Sequence, residues 1–342
     1  MKPVKLEEFG LGGKEKAYVT FMHPDGLRIL EREFDVIYSP STNGPKSEAA
    51  LMRAVKDMYA LVVSARARDQ VTATVIEAQT KLRVIGCPFS GVDNIDVEAA
   101  TKKGIYVINA AGANADSVAD HTIGLILCLV KNIARGNMYL KTNDPNFRRL
   151  SQEERYHALM GSELQGKTIG IVGLGQIGTK VAHRARCFGM NVLVYEPKPI
   201  PERLVAVNAA LVNLETLLKD SDIVTLHCAL TPETIGLIGS EQLALMKKTA
   251  YLINTSRGSI VDETALYEVL SENIIAGAGL DVFSDEPVDS ENPLVRLENT
   301  VVTPHISGAT RDVQKRQSTM VAEDIVRVLK GVKPKFAANI LP

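Results

Sequence analysis

Three polar segments late in the chain each follow a short apolar run, and each contains a side chain able to bind an anion or move a proton. They contain Arg257, Glu286 and His305. An arginine binds a carboxylate through a planar fork that is always charged. A histidine exchanges protons near neutral pH, and a neighbouring carboxylate fixes its tautomer and stabilises its charged form. Together these residue types are suited to bind a carboxylate, polarise a carbonyl and protonate its oxygen.

Each of these residues also has an ordinary structural explanation when it is taken singly. A loop arginine usually pairs with a surface acid, and a loop histidine usually satisfies a local hydrogen bond. Glu286 precedes Pro287 and could belong to a simple turn. Composition alone therefore does not join the three residues into one site.

A glycine-rich segment, GLGQIG at residues 173–178, follows a buried strand that ends at Val172. A helix is predicted to begin at Gln176, so its N-terminal N–H groups would face a pyrophosphate. Glu196 comes after the next strand, roughly 20 positions beyond Gly173. It would accept hydrogen bonds from both ribose hydroxyls and repel a 2′-phosphate, which predicts NAD as cofactor. The proposed contacts are Gly173, Gly175, Gln176, Ile177, Gly178 and Glu196. The alternative is a glycine-rich turn that binds no ligand.

Short β-branched runs alternate with helical patterns along the whole chain, which predicts an α/β fold with parallel sheets. The first series, from Ala17 to Ile108, has five strands in a flavodoxin-like pattern. A long apolar helix is predicted over Asp116–Arg135, and an irregular surface excursion over Lys141–Gly161. The second series begins at Thr168 and ends near Val302, and a final helix is predicted over Arg311–Leu329.

Bulk composition is that of a globular protein without a dominant charge. The chain has 342 residues, of which 45% are hydrophobic and 23% charged, with a formal net charge of -1. This length suggests two domains, and the charge does not indicate nucleic acid or an anionic membrane. The four cysteines form no CxxC pair, which argues against zinc or a disulfide framework, and no metal is expected.

The N-terminus lacks an apolar core, and the longest apolar run, Ile123–Val130, is too short to span a bilayer. A cytoplasmic protein is expected.

Six segments together resemble the D-isomer-specific 2-hydroxyacid dehydrogenase family, which includes phosphoglycerate, glyoxylate/hydroxypyruvate and D-lactate dehydrogenases. The resemblance covers nearly the whole chain, and the combination of segments is highly specific. The segments are GLGQIG (173–178), NTSRGSIVDE (254–263), GLDVFSDEP (279–287), TPHISGAT (303–310), GVDNID (91–96) and SVADHT (117–122).

The resemblance implies two lobes. One is a Rossmann NAD-binding domain over residues 121–309, and the other is a flavodoxin-like substrate domain over 1–120, completed by the C-terminal helix in 310–342. It also implies a homodimer formed through the cofactor lobe. The expected partner is a small 2-oxo or 2-hydroxy acid.

The resemblance also assigns roles to residues. Arg257 would bind the substrate carboxylate and orient the carbonyl, His305 would be the acid/base, and Glu286 would pair with His305. Asp281 would hold the nicotinamide carboxamide. Other cofactor contacts would be His227, Cys228, Ala229, Thr255, Ser256 and Ser307. Ser90 and Gly91 would offer backbone or hydroxyl donors to the substrate carboxylate.

The chain departs from the family pattern on the substrate side. Cys87 stands in a loop where phosphoglycerate dehydrogenases usually have arginine, which removes a cation for a phosphate. Arg66 and Arg68 are possible replacements. Elsewhere in the chain, Glu196 stands where aspartate is commoner, and Asp120 stands where glutamate is usual. The identity of the 2-hydroxy acid, and whether it carries a phosphate, stay open.

One alternative of a different class is a dinucleotide-sensing corepressor, since proteins of that kind resemble this family and keep its catalytic residues. Such a protein would need a surface for a partner peptide, and the sequence offers no extended tail for it. Formate oxidation is a further alternative, but that branch carries glutamine where this chain has Glu286.

Overall fold

The computed structural model describes residues 14–41, 44–65 and 69–341. The chain divides into two compact units: unit 1 is Met1–Asn114 with Thr310–Pro342, and unit 2 is Ala115–Ala309. Arg66 and Arg68, the candidate cations for a distal anion, lie outside the described residues, as does most of the N-terminal segment that the sequence suggests is no signal peptide.

Unit 1 is built on a five-stranded parallel sheet with the order β2-β1-β3-β4-β5, which is the predicted flavodoxin-like order. Its strands are β1 (Glu15–Val19), β2 (Phe34–Tyr38), β3 (Ala60–Val62), β4 (Val84–Cys87) and β5 (Tyr106–Asn109). Its helices are α1 (Pro24–Glu33), α2 (Glu48–Ala54), α3 (Ala73–Glu77), α4 (Val97–Lys102) and the C-terminal α15 (Arg311–Leu329).

The C-terminal helix belongs to the core of unit 1. Val321 and Ile325 of α15 are fully buried with apolar residues of the sheet. A Cβ on Gly86 would lie 2.8 Å from a methyl carbon of each, so the glycine lets α15 approach β4 closely. Burying an aliphatic side chain of this size contributes about 1.5–3 kcal/mol, which attaches the helix to a distant part of the chain.

Unit 2 contains a seven-stranded parallel sheet with the order β12-β11-β10-β9-β6-β7-β8. Its strands are β6 (Thr168–Val172), β7 (Asn191–Tyr195), β8 (Ala210–Leu211), β9 (Ile223–Leu226), β10 (Tyr251–Asn254), β11 (Gly277–Leu280) and β12 (Thr300–Val302). Its helices beside the sheet are α5 (Ala115–Val130), α9 (Gln176–Cys187), α10 (Pro201–Val207), α11 (Leu214–Asp220), α12 (Ser240–Ala244), α13 (Glu263–Ser271) and α14 (Pro293–Arg296).

The strand order reverses beside β6, so a crevice opens at the carboxyl ends of the central strands, where open α/β sheets bind ligands. Apolar side chains cover both faces of the sheet, in two separate clusters of buried residues. Helix α5 packs in one of them through Ile123 and Ile126, together with Ile169 of β6 and Ile253 of β10. All of α5 therefore lies in unit 2, and the structural division comes a few residues before the boundary at 120/121 drawn from the sequence.

The stretch between α5 and β6 differs from the prediction of one helix over Asp116–Arg135. The helix ends at Val130, Asn132 takes a left-handed backbone with φ 53°, and a second helix begins at Ile133. Asparagine tolerates this conformation better than most residues with a side chain, which explains the break.

The predicted irregular excursion over Lys141–Gly161 is also wrong, because most of it is helical. Its helices are α6 (Ile133–Thr142), α7 (Pro145–Arg149) and α8 (Gln152–Ala158). Asp144 accepts a hydrogen bond from Phe147 N, and Ser151 caps α8 in the same way. The polar residues that suggested a loop are helix caps.

Among the described residues, no single helix is long and apolar enough to cross a membrane. Only α5 and α6 taken together reach that length and apolarity, and a bend of 67° separates them.

Candidate active site

His305 and Glu286 form a hydrogen-bonded pair in unit 2. His305 Nδ1 lies 2.7 Å from Glu286 Oε2, and the other carboxylate oxygen, Oε1, accepts a hydrogen bond from Phe283 N at 3.2 Å. The two side chains keep 48% and 25% of their surface exposed, so solutes can reach the pair. Because Nδ1 faces the carboxylate, Nε2 is the ring nitrogen that can exchange a proton with a ligand.

Asp281, the residue after β11, holds the turn that carries His305. Its Oδ1 accepts hydrogen bonds from Thr303 Oγ1 at 2.6 Å and Ile306 N at 2.8 Å, and its Oδ2 accepts one from Ser307 N at 2.8 Å. Its main-chain oxygen accepts a fourth, from His305 N at 2.7 Å. His305 has φ 52°, a conformation that costs energy for a residue with a side chain. The four hydrogen bonds offset that cost and set the direction of the imidazole.

His121 of α5 contacts the same turn, and sequence analysis gave it no role. The hydroxyl proton of Thr303 is directed to Asp281, so Thr303 Oγ1 can only accept from His121 Nε2, which lies 3.0 Å away. His121 therefore carries a proton on Nε2. The only sequence signal for His121 was its place in the family segment SVADHT. That segment does not predict a contact with the turn of Thr303, which is far away in the chain.

Arg257 follows β10 in a loop that is held by Asn254. Asn254 Nδ2 donates to Arg257 O at 2.9 Å, and its Oδ1 accepts from Ser256 N at 3.0 Å. The side chain of Asn254 is buried, so both ends of this amide are used inside the protein. The Arg257 guanidinium contributes to the same loop, because its Nη1 donates to Ser256 O at 2.9 Å.

Gly258 brings the Arg257 loop against the segment that carries Glu286. A Cβ at Gly258 would lie 1.9 Å from the carbonyl carbon of Phe283, which no side chain can do. Since Phe283 N also binds the Glu286 carboxylate, this one glycine ties two of the three predicted catalytic segments together.

The predicted cofactor-lining hydroxyls of Thr255 and Ser256 already have partners inside unit 2. Thr255 Oγ1 lies 3.0 Å from Thr122 Oγ1 of α5, and Ser256 Oγ donates to Cys228 O. Ser307, another predicted contact, is buried, and its carbonyl accepts from Ser117 Oγ at 2.6 Å. These side chains therefore fix the loops at the sheet edge.

In the loop His227–Ala229, the side chains of the first two residues, His227 and Cys228, are largely removed from water. Burial lowers the pKa of His227 to about 3, and Nε2 of its ring lies 2.9 Å from Thr225 Oγ1. Burial raises the pKa of Cys228 to about 11, so this thiol is neutral at physiological pH. Ala229 is exposed, and its carbonyl accepts from Thr234 Oγ1 at 2.7 Å. Neither ring nor thiol carries charge near the dinucleotide loop.

The glycines of the segment 173–178 leave a cradle that suits a dinucleotide. Gly173 has φ 94°, and a Cβ there would lie 2.7 Å from Cys228 N. A Cβ on Gly178 would lie 2.2 Å from Gly173 O, so the strand, turn and helix α9 pack closely. At Gly175, the residue before α9, a Cβ would meet nothing within 4 Å, and no side chain caps the helix. The N–H groups of Gln176 and Ile177 begin this uncapped helix, as phosphate binding requires.

Glu196 is positioned by the same loop. Its Oε2 accepts from Leu174 N at 3.0 Å, and its Oε1 accepts from Lys198 N at 3.1 Å. Each carboxylate oxygen can accept a further hydrogen bond, so two ribose hydroxyls can still be bound.

Arg203 of α10 donates to Leu174 O at 3.1 Å, and sequence analysis missed this residue. The sequence around Arg203 gives no signal of this contact, because only the folding of α10 against the glycine loop brings the two residues together.

The predicted substrate contacts Ser90 and Gly91 lie in unit 1, after β4. Ser90 Oγ donates to Asn114 Oδ1 at 2.9 Å, so its hydroxyl is engaged and its backbone N–H is the better candidate donor. Cys87 is buried, burial raises its pKa to about 12, and its thiol faces Gly91 O at 3.5 Å. Phe89 packs on Phe21 with a ring-centroid distance of 5.3 Å, which makes this loop apolar.

Within the described ranges, no group of three or more His, Cys, Asp or Glu side chains could hold a metal ion. Groups of unit 2 that can act on a ligand include the His305–Glu286 pair, Arg257, Glu196 and the uncapped helix of the glycine loop.

Residues 123–307 match the family model described as D-isomer specific 2-hydroxyacid dehydrogenase, NAD binding domain. Two curated relatives are similar over most of this chain. A D-3-phosphoglycerate dehydrogenase of Methanocaldococcus jannaschii is 44% identical over 94% of this chain. A glyoxylate reductase of Thermofilum pendens is 40% identical over 95% of each chain. This chain spans 58% of the length of the Methanocaldococcus protein.

Two solved structures have the same fold and contain nicotinamide dinucleotides. D-lactate dehydrogenase from Aquifex aeolicus, with NAD and lactic acid, superposes with a TM-score of 0.76 at 28% identity, over 93% of this chain and 96% of that one. An acyclic imino acid reductase with NADPH and D-Arg gives a TM-score of 0.80 at 26% identity, over 95% of this chain and 100% of that one.

Proposed function

The chain belongs to the D-isomer specific 2-hydroxyacid dehydrogenase family, and on that premise we propose that it catalyses reversible hydride transfer between NAD and a small D-2-hydroxy acid. The observation that carries the proposal is the 2.7 Å pair of His305 and Glu286, held against the loop of Arg257 through Gly258. The relatives reported above are named as enzymes, which favours turnover over the corepressor alternative.

In the reductive direction, Arg257 binds the carboxylate of the 2-oxo acid and stabilises negative charge on the carbonyl oxygen. His305 donates the proton to that oxygen from Nε2, because its Nδ1 faces Glu286. Glu286 keeps the ring in this orientation and stabilises its charged form. NAD, when bound in its reduced form, supplies the hydride.

The dinucleotide is held by the glycine loop, with Glu196 on the adenosine ribose and the N–H groups of Gln176 and Ile177 on the phosphates. The contact of Asp281 with the nicotinamide carboxamide stays a prediction. Its buried carboxylate and its four hydrogen bonds to the His305 turn support a positioning role beside it.

For the substrate, we propose a 2-oxo acid without a phosphate, of the glyoxylate or hydroxypyruvate kind. The support is the loop after β4, where Cys87 is buried and Phe89 packs on Phe21, which follows β1. A phosphorylated substrate would need a second anion site, and Cys87, Pro88 and Phe89 of this loop offer no positive charge.

The test is a panel of glyoxylate, hydroxypyruvate, pyruvate and 3-phosphohydroxypyruvate with NADH, followed by the loss of absorbance at 340 nm. We expect turnover with the first two, and a kcat/KM ratio of phosphohydroxypyruvate to hydroxypyruvate below one. A ratio well above one that collapses in Arg66→Ala/Arg68→Ala would overturn the substrate proposal. Tight NADH binding with no turnover on any 2-oxo acid would instead favour the corepressor.

We also propose a homodimer, formed through helices α6, α7 and α8. None of these helices has a buried residue, and they expose large apolar side chains. Leu140 is 77% exposed and Tyr156 is 68% exposed. Such a surface is typical of one that a second copy covers.

Light scattering behind a sizing column tests the dimer. We expect the unmodified protein to have twice the chain mass and Leu140→Asp to have the chain mass. The matched control is Val205→Asp, since Val205 of α10 is 79% exposed but lies outside these helices. An unmodified protein at the chain mass would rule out the dimer.

A further inference from the structure

Two charged side chains bind the two ends of one residue in the glycine loop. Leu174 N donates to Glu196 Oε2 at 3.0 Å, and Leu174 O accepts from Arg203 Nη1 at 3.1 Å. Leu174 itself is buried between Gly173 and Gly175. The guanidinium therefore binds the same residue as the carboxylate that is proposed to bind the adenosine ribose.

The Arg203 guanidinium is a cation with N–H groups that can bind a ligand. Its hydrogen bond to Leu174 O uses one of five N–H groups, and no ion pair within 4 Å joins it to Glu196 among the described residues. The side chain is half-buried, so it is held in place and still reaches solvent. Arginine is the residue type that binds a phosphate through a planar fork, and an arginine near the ribose is how Rossmann domains accommodate a 2′-phosphate.

We propose that Arg203 is a second determinant of dinucleotide choice, a cation that accepts the 2′-phosphate of NADP, and that Glu196 alone keeps the protein selective for NAD. This inference rests on the proposed function, because it concerns the same nucleotide site. Glu196 repels a 2′-phosphate, whereas Arg203 attracts it. The selectivity of the unmodified protein is then the difference between two opposing interactions, and removing the carboxylate should reveal the cation.

The test measures binding of adenosine fragments, which needs no knowledge of the substrate. ADP and 2′,5′-ADP are titrated by calorimetry into the full chain and its variants. We expect the unmodified protein to prefer ADP. In Glu196→Gln, 2′,5′-ADP should bind about 10- to 100-fold more tightly than before, because a charged hydrogen bond is no longer opposed. In Glu196→Gln/Arg203→Ala that gain should vanish.

A matched control is Lys198→Ala in the Glu196→Gln background, since Lys198 is another cation close to Glu196 and binds that carboxylate through its backbone N–H. It should keep the gain, and Arg203→Lys should keep part of it. NADPH and NADH turnover should follow the same order.

Equal weakening of ADP and 2′,5′-ADP by Arg203→Ala would mean that Arg203 only supports the loop, and would overturn the inference. Persistence of the gain in the double variant would overturn it as well. Failure of the proposed function is separate: it would appear as absent turnover in the substrate panel, while fragment binding would still report on Arg203.

Discussion

In each unit, the first strand of the sheet is followed by a turn into a helix, at the equivalent position in the strand order. These two turns are built differently. In unit 2 the order β7-β6-β9-β10-β11 puts β6 where β1 lies in the order β2-β1-β3-β4-β5 of unit 1. After β6, Gly175 precedes helix α9 without a capping side chain, and the space beside it is open. The N–H groups at the start of that helix, beginning with Gln176 and Ile177, are therefore available to an anion.

After β1 the corresponding helix begins with its own cap. His23 precedes α1, and its Nδ1 accepts from Asp25 N at 3.2 Å. Pro24 takes the first helical position, where its lack of an N–H does not matter. His23 N donates to Ser318 Oγ at 2.9 Å, which ties the turn to α15.

The comparison teaches that sheet order alone does not make a nucleotide site. Both units have a helix pointing its N-terminus at the carboxyl edge of a parallel sheet. Only in unit 2 do the first residues of that helix leave both space and unpaired donors for a phosphate. Changes at the edge of unit 2 should therefore alter binding and turnover, whereas changes at the turn of unit 1 should alter stability.

The largest effect is expected from Arg257→Lys at the edge of unit 2. Lysine keeps the charge but cannot hold a carboxylate and a carbonyl in one plane, so kcat/KM should fall by about 100- to 1,000-fold. Both kcat and KM should worsen, and the melting temperature should stay unchanged. Steady-state kinetics with the best substrate of the panel measures this. A variant that keeps most of its activity would show that Arg257 is structural.

Gly175→Val should abolish the difference between the two turns. Nothing lies within 4 Å of the new Cβ, so the fold is kept, but the side chain fills the cradle. NADH affinity should fall by about 30- to 100-fold, the equivalent of 2–3 kcal/mol of overlap. Fluorescence titration measures it.

The matched control is Gly239→Val, because Gly239 also precedes a helix of unit 2 in an extended conformation, with φ -103°. Its NADH affinity should be that of the unmodified protein. If both variants bind NADH normally, the glycine loop is not the nucleotide site.

Glu286→Gln should change the pH dependence of reduction. Reduction needs protonated His305, and the carboxylate 2.7 Å from Nδ1 stabilises that form. Without that carboxylate, the charged ring loses its stabilising partner, so the reductive optimum should move to lower pH and the rate at pH 8 should fall. An unchanged pH–rate profile would argue against the pairing.

The smallest effect on binding is expected from Gly26→Ala in α1 of unit 1. A Cβ there would lie 2.6 Å from Ser318 O, a backbone atom of α15, so unfolding should become easier by about 1–3 kcal/mol. NADH affinity should not change. Gly124→Ala in α5, where a Cβ meets nothing within 4 Å, is the control and should not destabilise. Denaturant unfolding measures the change in stability of each variant, and an NADH titration of the same variants measures the change in affinity.

Much of the fold could be predicted because local signals agreed with each other. Alternating β-branched runs and helical patterns predicted the five-stranded sheet of unit 1 and most strands of unit 2. The helices α7 and α8 were missed because Asp144 and Ser151 are equally good loop residues and helix caps. A residue that favours both structures cannot decide between them without the contacts that follow.

The sequence by itself determined the types of chemistry and the places where they stand. The glycine loop was recognisable from its spacing, whereas Arg257, Glu286 and His305 were joined into one predicted site by the family resemblance of the segments around them. Only the tertiary structure decided what holds them: Asp281 on the His305 turn, His121 behind Thr303, Gly258 between two loops and Arg203 on Leu174. These contacts join residues that are far apart in the chain. They exist only after parallel strands have been laid side by side and their carboxyl ends brought to one edge, which no local pattern specifies.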